Sequence, residues 1–210
     1  MRSFIVLATA MQIAFSVQAV AQAPVVPKFA TPINGAKWSI STSHLVNQMA
    51  VVDLNRDGVK ELVVVYGYMP NTGVVLPINI LGMNTKNYTY NISTRKFLLG
   101  TVTRLVAPRT ISVGDFNGDK IQDVFIGGHG NDDFPFSGEK DWLLLSSEGS
   151  PHRSYVAPPK VDGFTHSSAA VDVNQDGLAD IYVGTICCGK QRPYMLFGSK
   201  TGLPVPRTDV

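Results

Sequence analysis

Asp53-Leu-Asn-Arg-Asp-Gly-Val-Lys-Glu61 is the first of three similar stretches in this chain of 210 residues. The other two are Asp115-Phe-Asn-Gly-Asp-Lys-Ile-Gln-Asp123 and Asp172-Val-Asn-Gln-Asp-Gly-Leu-Ala-Asp180, and all three align without a gap. We refer to them as loop 1, loop 2 and loop 3, with positions 1 to 9. An apolar run rich in β-branched residues follows each loop, which predicts a β-strand directly after it.

Side chains that carry oxygen recur at positions 1, 3, 5 and 9 of each loop. Ca²⁺ binds about six to eight oxygens, and alternate positions of a tight loop can direct side chains at one centre. The backbone carbonyl at position 7 adds another oxygen, and Gly58 and Gly177 at position 6 permit the sharp turn. The predicted metal ligands are Asp53, Asn55, Asp57, Val59, Glu61, Asp115, Asn117, Asp119, Ile121, Asp123, Asp172, Asn174, Asp176, Leu178 and Asp180.

The acidic residues of the chain are concentrated in these loops, which hold nine of the 16. Three carboxylates at one corner repel one another unless a cation neutralises them. We therefore expect about three Ca²⁺ ions, one in each loop; Mg²⁺ fits less well because it keeps several of its waters. Loop 2 departs from the pattern, since Lys120 stands at position 6 and Gly118 lies two positions earlier.

The pattern Asp-x-Asn-x-Asp-Gly-x-x-Asp between two apolar strands resembles the FG-GAP/VCBS-type repeat of integrin-α-like β-propellers. The resemblance implies a β-propeller with calcium in its corner loops, generally an extracellular scaffold for adhesion or carbohydrate contact. No literal Phe-Gly…Gly-Ala-Pro string occurs, and the nearest segments are Phe125-Ile-Gly127-Gly128 and Phe197-Gly198. The broader bacterial-type repeat family is therefore a better match than the integrins.

The repeat spacing also fits this fold. Asp53, Asp115 and Asp172 stand 62 and 57 residues apart, which is room for about four short strands per repeat. We predict an all-β fold of four-stranded antiparallel blades. The first blade would have strands over 45–52, 61–68, 74–81 and 88–98 with a turn at 70–73, and the second a loop over 128–133 and a strand over 142–145. No helix is expected in the mature chain.

Three repeats are too few for a closed ring, because propellers usually have about 4 to 8 blades. We therefore predict an incomplete propeller over residues 24–210. Three interpretations remain open: further C-terminal blades exist in a larger protein, two or more chains associate to complete the ring, or the chain forms a small self-sufficient fold.

The start of the chain predicts export. Arg2 precedes a mostly apolar stretch over 4–20, and Ala21-Gln22-Ala23 offers a cleavage pattern, so we predict a signal peptide over 1–23. The product would be secreted, extracellular or periplasmic, with no membrane contact after cleavage. The two adjacent cysteines, Cys187 and Cys188, could be unpaired thiols, a strained vicinal disulfide, or a redox or metal pair.

Charge and motifs limit the function classes. The formal net charge of +2 with no basic run gives no reason to expect a nucleic-acid partner. HExxH, GxSxG, Walker and Rossmann patterns are absent from the sequence. Among the four histidines, His129 is the most suggestive because Asp132 and Asp133 follow it, and the best recognition segment is Phe134-Pro135-Phe136.

Two functions remain, and catalysis is the less favoured one. We expect a noncatalytic binding, adhesion or structural module whose partner is a glycan or an extracellular protein, with a homo-oligomer as a further possibility. The alternative is a secreted polysaccharide-active enzyme, a lyase or hydrolase, or a fragment of one.

Overall fold

A computed structural model describes residues 44–68, 74–100, 103–148, 153–186 and 192–207. The elements are β1 (His44–Val52), β2 (Glu61–Tyr68), β3 (Leu76–Pro77), β4 (Asn79–Asn84), β5 (Thr89–Ile92), α1 (Thr94–Phe97), β6 (Arg104–Leu105), β7 (Thr110–Gly114), β8 (Asp123–Gly127), β9 (Trp142–Leu145), β10 (Arg153–Val156), β11 (Thr165–Val171), β12 (Asp180–Thr185), β13 (Tyr194–Phe197) and β14 (Val205–Arg207). The predicted signal peptide, the turn at 70–73, His152 and both cysteines lie outside these residues.

Within the described residues the strands form three antiparallel four-stranded sheets. Blade 1 has the order β1-β2-β4-β5, blade 2 the order β7-β8-β9-β10, and blade 3 the order β11-β12-β13-β14. A two-stranded sheet of β3 and β6 accompanies them. The predicted all-β fold of four-stranded blades is confirmed, and three blades make an incomplete propeller.

Three of the predicted strands agree with the observed strands. The observed β2 and β9 match the predictions over 61–68 and 142–145, and β1 begins one residue early. The prediction over 74–81 is wrong in its bounds, because the chain first pairs through β3 with β6 and then joins blade 1 as β4 over 79–84.

The expectation of no helix is also wrong. The predicted strand over 88–98 ends at Ile92, and a single helical turn, α1, follows. This turn carries Phe97 into the core, where its side chain is 1% exposed, and the Thr94 hydroxyl accepts the N–H of Ile80 at 3.0 Å. Tertiary burial here overrides the strand preference of the sequence.

Each loop occupies the same corner of its blade. Loop 1 joins β1 to β2, where Val52 pairs with Glu61; loop 2 joins β7 to β8, and loop 3 joins β11 to β12 in the same register. The three loops therefore lie at corresponding strand ends, which is the strand-loop-strand corner that the repeat predicted.

Blade 2 lies between the other two blades and shares a core with each. Along β8, Val124 and Ile126 pack into a cluster with blade 1 residues such as Val63. Phe125 points to the opposite face and packs with blade 3 residues such as Ile181. Since both faces are covered, every residue of β8 is buried.

Candidate metal loops and the opposite face

The first aspartate of each loop holds the turn closed. Its Oδ2 atom accepts the backbone N–H of position 6, at 3.0 Å in loop 1 and at 2.9 Å in loops 2 and 3. The aspartate at position 5 accepts the N–H of position 7 at 2.8 Å in all three loops. The same side-chain-to-backbone bonds thus recur in each blade, as expected for Asx-type turns.

Positions 1 and 3 direct a side-chain oxygen at the same backbone N–H in loops 1 and 3. In loop 1 the Oδ1 atoms of Asp53 and Asn55 both accept the N–H of Asp57, at 3.1 and 3.2 Å. Loop 3 repeats this arrangement at 3.1 and 3.0 Å. The amide of position 3 also donates to the carboxylate of position 5 in every loop, at 2.9, 3.2 and 2.9 Å.

Loop 2 keeps the backbone path although its glycine is displaced. In all three loops positions 4 and 6 have positive φ, and in loop 2 these residues are Gly118 at +82° and Lys120 at +67°. Loops 1 and 3 place their glycine at position 6 and a longer side chain, Arg56 or Gln175, at position 4. The turn at position 6 was predicted from the sequence, whereas the positive φ at position 4, which Gly118 signals, was not.

The acid at position 9 has a different environment from the others. Glu61 is 2% exposed, while Asp123 and Asp180 are 0% exposed. Each accepts the backbone N–H of position 2, at 3.0, 2.9 and 3.0 Å. The second oxygen of Asp123 accepts the N–H of Ser146, and that of Asp180 accepts the N–H of Gly198. Position 9 therefore joins the loop to the end of the third strand of its blade in blades 2 and 3.

Burial and mutual repulsion act on these inner acids. The pKa of Asp123 is raised to about 7, chiefly by burial and to a smaller extent by the charges of Asp119 and Asp115, against the two N–H donors. Burial likewise raises the pKa of Glu61, with smaller contributions from Asp57 and Asp53. Burial, which disfavours the charged form, is the larger cause for both acids, and the neighbouring carboxylates add to it.

The oxygen groups at positions 1, 3, 5 and 7 of each loop are of the kind that Ca²⁺ binds, whereas the acid at position 9 already accepts backbone hydrogen bonds. Positions 1, 3, 5 and 7 of each loop supply two carboxylates, one amide oxygen and one carbonyl, which are hard oxygen ligands. Among the described residues, no three histidine, cysteine, aspartate or glutamate side chains are arranged as a metal site on their own. Position 9 is already bonded to backbone N–H groups, although each carboxylate oxygen has a second lone pair. The Ca²⁺ sites remain a prediction.

A second group of polar residues lies at the other end of blades 2 and 3. Backbone hydrogen bonds bring three segments together there: Arg109 N–H donates to Gly127 O and Thr165 N–H to Gly128 O, both at 3.0 Å. We define the His129 cluster as Arg109, His129, Asp132 and His166. The His129 ring lies 4.5 Å from the His166 ring between centroids, and its Nδ1 atom is 3.4 Å from Asp132.

The His129 cluster is partly buried and close to neutral overall. Arg109 forms an ion pair with Asp132, and burial lowers the pKa of both imidazoles, with the Arg109 charge acting in the same direction. Two buried atoms, Arg109 Nε and His166 Nε2, have no hydrogen-bond partner within the described part of the chain. Sequence reasoning found His129 and Asp132 and missed Arg109 and His166, because only strand pairing brings them together.

Two exposed aromatic side chains accompany this cluster in the β8–β9 loop. Phe134 is 87% exposed and Phe136 is 49% exposed, with ring centroids 6.3 Å apart in a T-shaped contact. Tyr66 of β2, in contrast, is buried in the blade 1 core. The Phe-Pro-Phe segment thus presents exposed aromatic surface, and its role in recognition remains a prediction.

The Ser168 side chain connects two blades. The Ser168 hydroxyl lies 2.8 Å from the Thr110 hydroxyl and 2.6 Å from the Ser112 hydroxyl, so it links β11 of blade 3 to β7 of blade 2. Ser168 is therefore a strand residue whose hydroxyl connects two blades.

Asp141 is a buried connection that the sequence did not reveal. Its Oδ1 atom accepts the N–H of Gly128 at 2.8 Å, while its Oδ2 atom accepts the hydroxyls of Thr165 at 3.1 Å and Tyr194 at 2.7 Å. The last two residues belong to blade 3. Burial raises the pKa of this carboxyl to about 6, against the three donors.

The antiparallel blades with their repeated aspartate loops define an all-β repeat protein of the incomplete propeller type. Residues 115–183 match the family model of the FG-GAP-like repeat, from the first aspartate of loop 2 into β12. Residues 115–183 therefore form an FG-GAP-like repeat, and the resemblance stated from the sequence is confirmed for this part of the chain. No curated protein matches the chain in sequence. No helix of the described residues is long and apolar enough to cross a membrane.

Proposed function

We propose that this protein is a secreted, calcium-binding module that binds a glycan or an extracellular protein without catalysing a reaction. The observation that carries the proposal is the hydrogen-bond set of loops 1 to 3, which gathers the same oxygen groups at the same corner of each blade. FG-GAP-like repeats and the signal-peptide pattern of residues 1–23 support an extracellular or periplasmic location.

Calcium would serve the structure rather than chemistry. Positions 1, 3 and 5 and the carbonyl of position 7 would hold the ion, and its charge would offset the repulsion among the loop carboxylates. An ion that binds the folded chain better than the unfolded chain stabilises it by mass action. Position 9 keeps the loop closed from inside through its bonds to backbone N–H groups.

The ligand surface would be the β8–β9 loop with the His129 cluster. Phe134 offers an exposed aromatic face, on which an apolar sugar face or an apolar side chain can pack. Arg109 Nε–H is a donor and His166 Nε2 a donor or an acceptor according to its tautomer; neither has a partner among the described residues, and buried polar atoms are generally hydrogen-bonded. This combination of aromatic and polar groups suits a polyhydroxylated or peptide ligand.

The calcium proposal is tested by melting the full chain in excess chelator and in excess Ca²⁺. We expect Ca²⁺ to raise the melting temperature of the wild type, and Asp53→Ala or Asp172→Ala to lose much of that rise. Asp132→Ala is the matched control, since it removes an aspartate outside the loops and should retain the full rise. Equal losses in all three variants would contradict the assignment of the sites.

The ligand proposal is tested by screening the folded protein against a glycan panel in Ca²⁺. Phe134→Ala should weaken a positive interaction without changing the melting temperature, because the side chain is exposed. Val161→Ala, exposed but in another loop, should leave binding unchanged. Equal binding by wild type and Phe134→Ala would show that this loop is not the contact.

The His129 cluster is also what would favour the enzyme alternative. Two imidazoles, a guanidinium and a carboxylate in one place are groups that acid-base catalysis uses. The same polysaccharides should be incubated with wild type and His129→Ala, and products measured. Product release that disappears in a folded His129→Ala variant would replace the noncatalytic proposal with a polysaccharide-active enzyme.

A further inference from the structure

The charges of blade 1 are unevenly distributed along its sequence. Its acidic residues all lie in loop 1, and residues 62–114, which run from β2 to the end of β7, contain none. The whole chain is nearly balanced, with 18 basic and 16 acidic residues. The basic residues of this stretch are Lys86, Arg95, Lys96, Arg104 and Arg109. The part of the chain after loop 1 therefore carries positive charge with no acid in its own sequence.

Three of these cations line one pocket of blade 1. The pocket has a volume of about 640 Å³, and sites for small ligands usually have about 300 to 1,000 Å³. We call it the blade 1 pocket, and its charged and polar lining residues are Asn79, Ser93, Thr94, Arg95, Lys96 and Arg104. Pro77 and Ile92 add apolar surface. Among the described residues that line it, none is acidic and none is aromatic.

Two elements of the fold bring the cations to this pocket. The single helical turn of α1 carries Phe97 into the core and leaves Arg95 and Lys96 exposed. Arg104 comes from β6, and its Nη2 atom donates to Val75 O at 2.8 Å. An arginine has five N–H donors, so this bond positions the guanidinium and leaves donors for a ligand.

The three cations have no acidic partner at the pocket. Within the described part of the chain, none of them forms an ion pair. The Lys96 charge acts on Glu61, but this carboxylate is 2% exposed, accepts the N–H of Leu54 and does not line the pocket.

The rest of the chain does not offer an acid to this pocket either. Of the 16 acidic side chains, Asp209 is the one outside the described residues. It stands two residues beyond Arg207 of β14, in blade 3, and blade 2 separates blade 3 from blade 1. A residue of extended chain spans at most about 3.6 Å, which is too short a reach to cross a blade. An anion for the blade 1 pocket therefore has to come from a ligand.

We propose that the blade 1 pocket binds an acidic sugar, a short oligosaccharide that carries carboxylate or sulfate groups. The three cations would pair with the anionic groups. The Ser93 hydroxyl donates to Asn91 O at 3.1 Å and can accept from a sugar hydroxyl, and the Asn79 amide can bond another. Pro77 and Ile92 would contact the apolar face of a sugar ring. This site is distinct from the β8–β9 loop surface and does not depend on it.

The lining favours an acidic sugar over two other polyanions. Single-stranded nucleic acids stack their bases on aromatic side chains, and none of the described lining residues is aromatic. An extended acidic peptide commonly pairs along a sheet edge. The outer strand of blade 1 is β5, but it contributes only its last residue, Ile92, to the pocket. Cationic, hydroxyl and amide groups around a small cavity suit a compact polyhydroxylated anion.

The test is isothermal titration calorimetry of the full chain at low ionic strength and a fixed Ca²⁺ concentration. The probes are a galacturonic acid trimer, a sulfated maltotriose and the neutral maltotriose. We expect at least one acidic sugar to bind, with an affinity that falls as NaCl is added, and maltotriose not to bind. The tighter of the two acidic sugars identifies the anionic group, carboxylate or sulfate, that the pocket prefers.

Substitutions locate the binding within blade 1. Arg95→Gln, Lys96→Gln and Arg104→Gln should each weaken the affinity for the acidic sugar at least about threefold. Lys86→Gln is the matched control, because Lys86 is an exposed cation in the turn between β4 and β5 and does not line the pocket. It removes the same charge from the same blade and should change the affinity less than about twofold. Circular dichroism melting establishes that each variant is folded.

Four outcomes would overturn the proposal. A folded wild type that binds neither acidic sugar would do so, while the Ca²⁺ loops and the Phe134 surface keep their own tests. Equal losses in Lys86→Gln and Arg95→Gln would mean a general attraction to positive surface. A tri-aspartate peptide that binds as tightly as the galacturonic acid trimer would mean that charge alone is recognised. Phe134→Ala should retain the affinity, and its loss there would move the binding to the β8–β9 loop.

Discussion

At the scale of single residues, each loop uses its carboxylates in two ways. Asp53, Asp57 and their equivalents lie at the surface of the turn and bond the N–H groups of the turn itself. The acid at position 9 is buried and bonds the N–H of position 2 from inside. The spacing of the oxygens predicted one ligand set of four side chains, whereas burial separates one of them from the other three.

This difference predicts distinct responses to substitution in loop 3. Asp180→Ala removes the acceptor of two N–H groups, those of Val173 and Gly198, so it should lower the free energy of unfolding by about 2 to 4 kcal/mol even in chelator. Asp176→Ala alters exposed groups and should cost about 1 kcal/mol in chelator, with a larger loss in Ca²⁺. Urea unfolding of the wild type and of both variants, in chelator and in Ca²⁺, measures the loss of unfolding free energy for each variant in each condition.

The matched comparison is the cost in chelator, where calcium plays no part. If Asp180→Ala and Asp176→Ala cost the same there, position 9 does not have the structural role that its burial indicates. A cost for Asp180→Ala that appears only in Ca²⁺ would instead make it an ordinary ligand.

At the scale of strands and loops, the sequence predicted local elements well and long-range contacts poorly. β2 and β9 follow from apolar runs whose pattern is local. α1 does not, because its turn depends on the burial of Phe97 among residues of other strands. The same holds for Asp141, which bonds Thr165 and Tyr194 at distances of 24 and 53 residues along the chain.

The Asp141 connection between blades 2 and 3 predicts a pH dependence of stability. Its folded pKa of about 6 lies above the ordinary value of 3.8, so the folded state favours the protonated carboxyl. The resulting stability is fully present below the ordinary pKa and is lost as the pH rises through about 6. Between pH 7 and pH 5 the gain from this group should be about 1 kcal/mol.

The measurement is urea unfolding of wild type and Asp141→Asn at pH 5, 6 and 7. The difference in unfolding free energy between the two proteins reports on the Asp141 carboxyl alone, because the other acids that titrate in this pH range are present in both. Wild type should gain about 1 kcal/mol relative to the variant on going from pH 7 to pH 5. A constant difference across the range would mean that Asp141 does not titrate in this window.

At the scale of the whole molecule, blade 2 connects the two main cores. Ile126 packs toward blade 1 and Phe125 toward blade 3, although they are adjacent in β8. The number of repeats predicted an incomplete propeller. Which sheet face of a blade is buried depends on packing against the neighbouring blade, and the sequence of a single repeat does not determine that packing. Tyr182 and Phe125 occupy the same repeat position and differ in exposure for this reason.

Because one strand contributes to both cores, the described blades should unfold as one cooperative unit. The probe is Trp142, which packs against the core shared by blades 1 and 2, in a Trp38→Phe background that leaves it as the one remaining tryptophan of two. Its fluorescence and the far-UV circular dichroism should give the same urea midpoint. Ile126→Val and Phe125→Leu remove volume from different cores and should each lower the free energy of unfolding by about 1 kcal/mol, moving both signals together. If Phe125→Leu shifts the circular dichroism while the Trp142 signal keeps its midpoint, blade 3 unfolds separately, and the stacking of the blades is not the source of cooperativity.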